Sequence, residues 1–430
     1  MKVEASGAVE RRRAGGIVAA LTSVISYRRL WYAGIGYYSA YWVEIVSTGW
    51  VVLNMTGSAF YVGLVGFCRT LPMLLLGLIL GAVSDRFRRT SLLLAVQSSG
   101  LVVSSVLTLL FLLGHANLAT ICVCSGLLGC GWAADFSTRR ALISELNRPE
   151  LSGNAMSLEA MTMQGSKIVA TIVAGTLLAA GGGTLAYGVL TMIYAYGVIS
   201  ILRVRRVYRV PAATRRQSIS LLRLMREGIT TSARIPLIQA VLLVTVVMNL
   251  LVFPYQQLIP VIAKQILDVG PQRMGILAGA DGIGAIFVAG SLVFLARPAM
   301  AGRFFLGGAF FGTAVVVALG VSHLFPLSLC LQILAGGFFG GFSSMQPVLI
   351  INTVEPQFRA RALGVLAMAI GCTPLGILLS GTLSSTIGAT ATLAGTGSLA
   401  LLLMISITLA NRELIKTKVA AVFSASGAGG

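Results

Sequence analysis

Charged residues are scarce in this 430-residue chain, in which Asp, Glu, Lys and Arg together make up only 10%. A soluble protein carries about 25% charged residues, and the mean hydropathy here is +0.90. Acidic residues are the rarest of all, with 13 Asp and Glu against 32 Lys and Arg. A chain solvated mainly by water is therefore excluded, and the sequence predicts an all-α integral membrane protein.

The residues that usually carry enzyme chemistry are also few. The two histidines, His115 and His323, fall in turns between apolar runs, and the six cysteines lie inside such runs without a C-x-x-C pair. The sequence contains no H-E-x-x-H, P-loop or G-x-S-x-G motif. We therefore expect no enzyme activity, no metal and no cofactor. Without a nucleotide site, any energy that the protein uses must come from an ion gradient or a solute gradient.

Long apolar runs are what the sequence does contain. A membrane-spanning helix needs about 20 apolar residues, and twelve runs come close to that length. In the first half they are Leu30–Leu53, Phe60–Val83, Ser91–Leu113, Leu118–Ala134, Leu158–Ala180 and Thr184–Leu202. In the second half they are Pro236–Leu258, Met274–Ala296, Phe304–Val321, Pro326–Gln346, Ala362–Leu383 and Gly388–Leu409. The fourth run is short, and we expect its helix to extend past Asp135.

Basic residues set the orientation. If both termini are cytoplasmic, 28 of the 32 Lys and Arg fall in cytoplasmic segments, as the positive-inside rule requires. Lys264 and Arg273 fall outside, and Arg69 and Lys167 fall within predicted helices. The net charge of +19 could suit nucleic acid, but these bases flank apolar runs and form no single basic face. We expect a multi-pass protein of the cell inner membrane that binds the lipid bilayer and no nucleic acid.

An internal repeat divides the chain. Residues 137–143 (STRRALI) align with 344–350 (SMQPVLI) at an offset of 207, which also places Pro149 on Pro356 and Ala155 on Ala362. A parallel repeat of this kind predicts two pseudo-symmetric six-helix bundles. The predicted segments are a basic cytoplasmic N-terminus (1–29), two bundles (30–206 and 236–411), a basic cytoplasmic linker (207–235) and a disordered cytoplasmic tail (412–430).

The turn between the second and third runs carries a motif. It resembles the G-x-x-x-D-R-x-G-R-R/K loop of the major facilitator superfamily, and the matching residues are Gly81, Asp85, Arg86 and Arg89. Arg88 stands in place of the second Gly and Thr90 in place of the last base. With Arg69-Thr70-Leu71-Pro72 and Glu355-Pro356, the chain is similar to the 12-helix efflux branch that includes enterobactin-type siderophore exporters and macrolide exporters.

This resemblance implies a small-molecule substrate, alternating access and a cytoplasmic gate. In relatives the loop acts as a latch, so Asp85 is expected to bind the start of the eleventh helix near Arg361-Ala362 and to pair with Arg139. An ordinary solvated loop is the alternative. Two departures remain: the G-P pair of drug antiporters is missing near Ala170-Thr171, and residues 297–303 of the second half keep bases without an acid.

Four charges fall inside predicted helices, where each costs about 2.5–3.5 kcal/mol at the helix centre. Glu44 and Arg69 both lie at a depth of about 21 Å from the inner helix ends, at about 1.5 Å per residue, and are expected to pair. That pair either exchanges protons or contacts substrate, or it only fixes helix packing. Asp281 is either a proton carrier or a neutral acid bonded to a carbonyl.

Lys167 either reaches the inner interface or adds positive charge to a central cavity, where it would favour an anionic or zwitterionic substrate. Glu159, on the same helix, is expected at the membrane interface. Aromatic residues are the other candidates for the cavity wall. Tyr37 and Tyr41 share a helix face with Glu44, and Phe338 and Phe342 lie within a glycine-rich stretch. Core packing or an aromatic belt at the membrane interface is the alternative for all four rings, and close helix contact explains the glycines.

The function indicated is proton-coupled export of a small amphipathic molecule, either a siderophore-like metabolite or a drug. The expected partners are that molecule, protons and the bilayer, and the chain is expected to be monomeric. Uptake or lipid-like flipping by the same fold is one alternative. A membrane receptor or scaffold that does not transport is an alternative of another class.

Overall fold

The computed structural model describes residues 21, 24–84, 87–207, 230, 235–295, 300–355 and 358–411, whose regular structure is entirely helical. Asp85, Arg86, most of the basic linker and the 412–430 tail lie outside these ranges. The chain divides into two compact units: unit 1 holds residues 1–48 and 68–217, and unit 2 holds residues 49–67 and 218–430.

The helices of the first half are α1 (Ile25–Thr56), α2 (Ala59–Ser84), α3 (Arg89–Leu112), α4 (Leu118–Leu146) and a helical stretch over Pro149–Val207. A capping box starts α4, because Asn117 Oδ1 accepts from Thr120 N at 3.0 Å and Thr120 Oγ1 accepts from Asn117 N at 3.3 Å. The helix runs through Asp135 to Leu146, so the predicted extension of the fourth run is confirmed.

The stretch Pro149–Val207 consists of two helices, α5 (149–180) and α6 (183–207), separated by non-helical Gly181 and Gly182. Gly182 has φ +59° and ψ −152°, a backbone conformation that residues other than glycine rarely adopt. Tyr27 bonds to Ala155 O near one end of this stretch, and Arg29 bonds to Arg203 O near the other. Both ends therefore lie beside the start of α1, so α5 and α6 run antiparallel, with the break where the sequence predicts it.

The second half begins with α7, an irregular helix that starts at Pro236 and ends at Ile266. Its parts are Pro236–Val247, a π-helical Met248–Val252, a 3₁₀ Phe253–Leu258, Ile259–Val261 and a π-helical Ile262–Ile266. The remaining helices are α8 (Pro271–Leu295), α9 (Ala301–Val321), α10 (Phe325–Thr353), α11 (Arg359–Ile370 and Thr373–Ile387) and α12 (Ala389–Ala410).

Two of these helices are less regular than the sequence predicts. Pro254 and Pro260 lie inside α7, and each removes a backbone donor that a regular helix needs. This accounts for the change to 3₁₀ and π geometry. The predicted continuous run Ala362–Leu383 is interrupted at residues 371–372, just before Pro374. The apolar runs alone therefore do not show where these two helices change geometry.

Helix bounds repeat at the offset found in the sequence. The first and last residues of α10 lie 207 positions after those of α4, and both helices have 29 residues. The last residue of α11, Ile387, stands at the same offset from the end of α5. Among the described residues, nine helical segments are long and apolar enough to cross a membrane, and the segment Leu151–Val207 contains both α5 and α6.

Glycines in α8 and α10 bring these two helices into backbone contact within unit 2. A Cβ atom on Gly284 would overlap Ile333 O, and one on Gly336 would overlap Asp281 O. The glycine-rich stretch around Gly336 is therefore a site of close helix packing, as the alternative interpretation of that stretch expects.

Candidate functional site

The ion pair expected between Glu44 and Arg69 is present in unit 1. Arg69 Nε on α2 donates to Glu44 Oε2 on α1 at 2.6 Å. The residues are 5% and 1% exposed, respectively. A charge-assisted hydrogen bond this short is strong, and it offsets part of the cost of removing both charges from water.

A glycine on α4 sets the position of Arg69. A Cβ atom on Gly129 would overlap Arg69 O, and one on Gly126 would lie 3.6 Å from Cys68 O. Helices α2 and α4 therefore approach most closely at the level of the ion pair. Trp132 lies about one turn after this contact on α4.

Three aromatic rings connect Arg69 to a second guanidinium, and we call Tyr37, Tyr41 and Trp132 the aromatic ladder. Arg69 Cζ lies 4.9 Å from the Tyr41 ring centre, and the Tyr41 and Trp132 centres are 3.9 Å apart in a stacked arrangement. Trp132 stacks on Tyr37 at 6.0 Å, and Arg139 Cζ lies 5.3 Å from the Tyr37 centre. Both ends of the ladder are therefore cation–π contacts.

The ladder differs in exposure along its length. Tyr41 and Trp132 are partly exposed, whereas Tyr37 is buried. Tyr37 and Tyr41 were candidates from the sequence, and Trp132 was not. Partly exposed stacked rings next to a buried guanidinium are suited to a planar or conjugated solute that carries an acidic group.

Four residues at the other end of the ladder form a second ionic site, which we call the Arg139 cluster: Tyr38, Asp135, Arg139 and Glu159. Arg139 donates to Asp135 twice, from Nε and from Nη2, each at 2.7 Å. Glu159 Oε1 lies 3.7 Å from Arg139 Nε and accepts from Tyr38 OH at 2.6 Å. Two carboxylates therefore share one guanidinium.

Arg139, which the sequence analysis expects to pair with Asp85 in a cytoplasmic latch, pairs with Asp135 in this cluster. Asp85 and Arg86 lie outside the described residues. Arg139 is 1% exposed, and two of its guanidinium nitrogens, Nε and Nη2, donate to Asp135. The physical reason is local, since Asp135 lies one turn before Arg139 on α4 and the i, i+4 spacing brings the two side chains together. Of the other gate candidates, Gly81 lies in the last turn of α2, and Arg89 forms an ion pair with Glu145.

Two further sequence expectations concern α5. Glu159, expected at the membrane interface, is only 3% exposed because its carboxylate faces Tyr38 on α1 and Arg139 on α4. Lys167 is 6% exposed, and its Nζ lies 4.4 Å from the Trp42 ring centre on α1. The lysine is therefore held within unit 1 by a cation–π contact.

The remaining candidates lie in unit 2. Asp281 on α8 is buried, and its Oδ2 lies 3.4 Å from Gln256 Nε2 on α7. Phe342 is fully buried and stacks on Phe305 at 4.8 Å, while the Phe338 and Phe311 ring centres are 5.6 Å apart. Phe342 therefore packs in the core of unit 2, whereas Phe338 is partly exposed beside Phe311, which is 61% exposed.

Neutral polar side chains link the irregular parts of unit 2. Thr373 Oγ1, at the restart of α11, donates to Asn249 Oδ1 in the first π-helical segment of α7 at 2.8 Å. Gln346 Nε2 on α10 donates to Thr245 Oγ1 at 3.0 Å. The Thr373–Asn249 bond thus connects the break in α11 to the irregular part of α7, whereas the Gln346–Thr245 bond joins regular parts of α10 and α7.

Sequence reasoning missed Tyr38, Trp132, Asp135 and the burial of Glu159. The i, i+4 spacing of Asp135 and Arg139 was the available signal for one of the two ion pairs. No comparable spacing pointed to Trp132, because its ring partners Tyr37 and Tyr41 lie on a different helix.

Comparison with known proteins now adds to this geometry. Residues 18–426 match the family described as transmembrane secretion effector. The chain belongs to this family of the major facilitator superfamily. It is a transporter and a multi-pass protein of the cell inner membrane.

Two curated relatives of this major facilitator superfamily member are transporters. A staphyloferrin A transporter of Staphylococcus aureus (strain NCTC 8325 / PS 47) is 24% identical over 348 residues, covering 79% of this chain and 84% of that protein. The multidrug efflux pump Tap of Mycolicibacterium fortuitum is 26% identical over 373 residues, covering 81% and 87%.

Solved structures show the same fold. A bacterial homologue of the human lysosomal transporter Spinster aligns with a TM-score of 0.70 at 14% identity, covering 94% of this chain and 98% of that one. A POT family transporter in complex with 5-aminolevulinic acid aligns with a TM-score of 0.73 at 9% identity, covering 91% and 97%.

Proposed function

We propose that this transporter exports a small amphipathic molecule in exchange for protons. Twelve membrane-spanning helices, with both termini in the cytoplasm, would open a central site alternately to each side of the membrane. The working unit would be a monomer. The observation that carries the proposal is the set of buried ionic groups in unit 1, namely the Glu44–Arg69 pair and the Arg139 cluster.

The cost of these groups supports a transport role. Each charge at a helix centre costs about 2.5–3.5 kcal/mol, so membrane segments seldom keep one without a partner or a purpose. A receptor or scaffold of this fold could replace both ion pairs by apolar residues at no loss of stability. A proton-coupled carrier, in contrast, needs buried groups whose charge changes during the cycle.

The substrate class follows from the aromatic ladder and its flanking bases. Tyr41 and Trp132 offer stacked, partly exposed rings, and Arg69 lies against the first of them. We propose that a substrate with a planar or conjugated part stacks here and that its acidic group approaches Arg69. The names of the two curated relatives, a siderophore transporter and a drug efflux pump, support a siderophore-like metabolite or a drug.

The test is flux in proteoliposomes that contain the purified full chain and a trapped fluorescent pH indicator. Staphyloferrin A and ethidium are the two probes, and a pH gradient of either sign is imposed. We expect at least one probe to move against the proton flow, with the indicator reporting movement of protons that depends on the probe. Glu44→Gln should reduce this coupled flux, and Asp268→Asn, an acid-to-amide change at an exposed loop position, should not.

Other outcomes would overturn specific parts of the proposal. Probe and protons moving in the same direction would indicate an importer instead of an exporter. Probe movement that leaves the pH indicator unchanged would remove proton coupling. If neither probe moves under any gradient, these two substrate classes are excluded, and a scaffold or receptor becomes the better interpretation.

A further inference from the structure

We propose that Glu159 is the group that binds and releases the coupling proton, with Asp135 and Arg139 as its fixed ionic neighbours and Tyr38 as its hydrogen-bond partner. This inference deepens the proposed function, since it rests on proton coupling, and it names a residue that sequence reasoning placed at the membrane interface.

Asp135 and Glu159 share the Arg139 guanidinium unequally. Asp135 accepts hydrogen bonds from Arg139 Nε and Nη2, each at 2.7 Å, and Arg139 Nη1 lies 3.4 Å from Leu30 O. Glu159 is left with a 3.7 Å contact to Nε, which Asp135 already occupies. When both acids are ionised, Asp135, Arg139 and Glu159 together carry one excess negative charge in a buried site. One proton on Glu159 makes the group neutral.

Polar and charged side chains of α1 and α4 surround Glu159. From α1, Tyr38 OH donates to Glu159 Oε1 at 2.6 Å, and Tyr27 lies close by with its hydroxyl bonded to Ala155 O. From α4, the charged groups are Asp135, Arg139 and Arg140. Arg140 is held elsewhere, with Nη1 3.3 Å from Phe136 O and Cζ 3.4 Å from the Phe136 ring centre. Glu159 therefore has one neutral donor and a shared base.

A glycine of α1 lies directly beside the guanidinium and the carboxylate. A Cβ atom on Gly34 of α1 would lie 3.3 Å from Arg139 Nη1 and 3.6 Å from both carboxylate oxygens of Glu159. The side chains of the Arg139 cluster thus fill the space beside the α1 backbone. A change in charge at Glu159 must alter its distance to Arg139 or to Tyr38, because little other space surrounds it.

The location also connects the proton to the substrate. Arg139 lies at one end of the aromatic ladder, and Arg69 lies at the other. A protonated Glu159 no longer attracts Arg139, so the guanidinium is free to pair with Asp135 alone and to shift against Tyr37. Proton binding thereby acts on the stacked rings that we propose as the substrate's contact surface.

The proton step itself is simple and balanced. One proton from water on one side of the membrane forms an O–H bond with a carboxylate oxygen of Glu159. The same bond breaks later in the cycle, and the proton passes to water on the other side. No other covalent bond forms or breaks.

Infrared difference spectroscopy tests this without any substrate. The full chain in lipid nanodiscs is titrated with acid, and the C=O stretching band of protonated carboxylic acids is followed. We expect wild type to show a band that titrates and that is absent in Glu159→Gln, while Asp268→Asn keeps it. Tyr38→Phe should keep the band but move its midpoint upward by about one pH unit, the loss expected for one hydrogen bond to a charged group.

The inference fails if Glu159→Gln, folded as judged by helical content, retains every titrating carboxyl band of wild type. If Glu159→Gln does not fold, an unchanged midpoint in Tyr38→Phe would overturn the inference instead. Because this readout needs no probe, it separates the inference from the proposed function. Coupled flux that survives in Glu159→Gln overturns the inference alone, whereas absent flux with an intact Glu159 band overturns only the proposed export.

Discussion

Removing one partner of the Glu44–Arg69 pair should destabilise the protein far more than removing both. Arg69→Met keeps the length and apolar stem of the side chain but leaves the Glu44 carboxylate, which is 1% exposed, without its guanidinium. Breaking a buried pair in this way costs about 3–5 kcal/mol of the free energy of unfolding. Glu44→Gln should cost a similar amount, because the buried guanidinium then lacks its counter-ion.

The double variant Glu44→Gln/Arg69→Met contains neither charge. Replacing a whole buried pair by residues of similar volume is often close to neutral, so its loss should stay below either single loss. The double-mutant cycle should therefore yield a coupling energy of at least about 3 kcal/mol, because the two single losses exceed the double loss by at least one of them. Free energies of unfolding of the full chain can be measured in mixed micelles by titration with SDS, with far-UV circular dichroism as the readout.

An additive cycle would refute this reasoning. If both single variants lose less than about 1 kcal/mol, as exposed ion pairs do, the two side chains are solvated in the folded protein. The burial on which the site description rests would then be incorrect. Transport measured on the same variants adds a second readout, since a pair that only fixes packing predicts full proton coupling in a stable double variant.

Three further predictions follow from the geometry. Gly284→Ala should destabilise the protein by several kcal/mol, since the new Cβ overlaps Ile333 O, whereas Gly290→Ala on the same helix meets no atom within 4 Å and should be close to neutral in the same SDS titration. Gly182→Ala should cost about 1–3 kcal/mol, because alanine is strained at φ +59° and ψ −152°. Trp132→Leu should raise the KM for a transported planar probe up to about tenfold at unchanged helical content, the worth of one aromatic contact; an unchanged KM would remove the ladder from the substrate site.

Helix existence and the depth of charges could be predicted from the sequence. The Gly-rich break between α5 and α6 falls between the predicted runs that end at Ala180 and begin at Thr184. The pairing of Glu44 with Arg69 followed from equal depth on adjacent helices, and the structure has that pair. Both inferences use the rise per residue of an α-helix, which backbone geometry fixes, and the thickness of the bilayer, which the lipid fixes.

The rotation of each helix could not be predicted. In a soluble helix the apolar stripe marks the buried face, but in lipid both the buried and the exposed faces are apolar. Trp132 and Phe136 on α4 therefore gave no sign of which one joins the ladder. The same ambiguity placed Glu159 at the interface, since its burial depends on the face of α5 that meets α1 and α4. The irregular course of α7 had a local signal in Pro254 and Pro260.

The 207-residue repeat shows how differently the two halves use the same positions. The counterpart of Arg139 is Gln346, which is buried and hydrogen-bonded to Thr245. The positions that match the other buried ionic residues of unit 1 are apolar: Leu251 for Glu44, Ile276 for Arg69, Phe342 for Asp135, Leu366 for Glu159 and Pro374 for Lys167.

Two halves with similar helix bounds therefore carry different chemistry. Within the described membrane helices, unit 1 contains both buried ion pairs, and Asp281 is the buried acid of unit 2. A duplicated bundle can lose its charges at no cost in stability, because an ion pair replaced as a whole leaves no unpaired group behind. Charges that persist in one copy and not in the other are better explained by a task than by packing. We therefore propose that proton exchange belongs to the first half, where Glu159 shares a base with Asp135, and that the second half contributes polar and close glycine contacts.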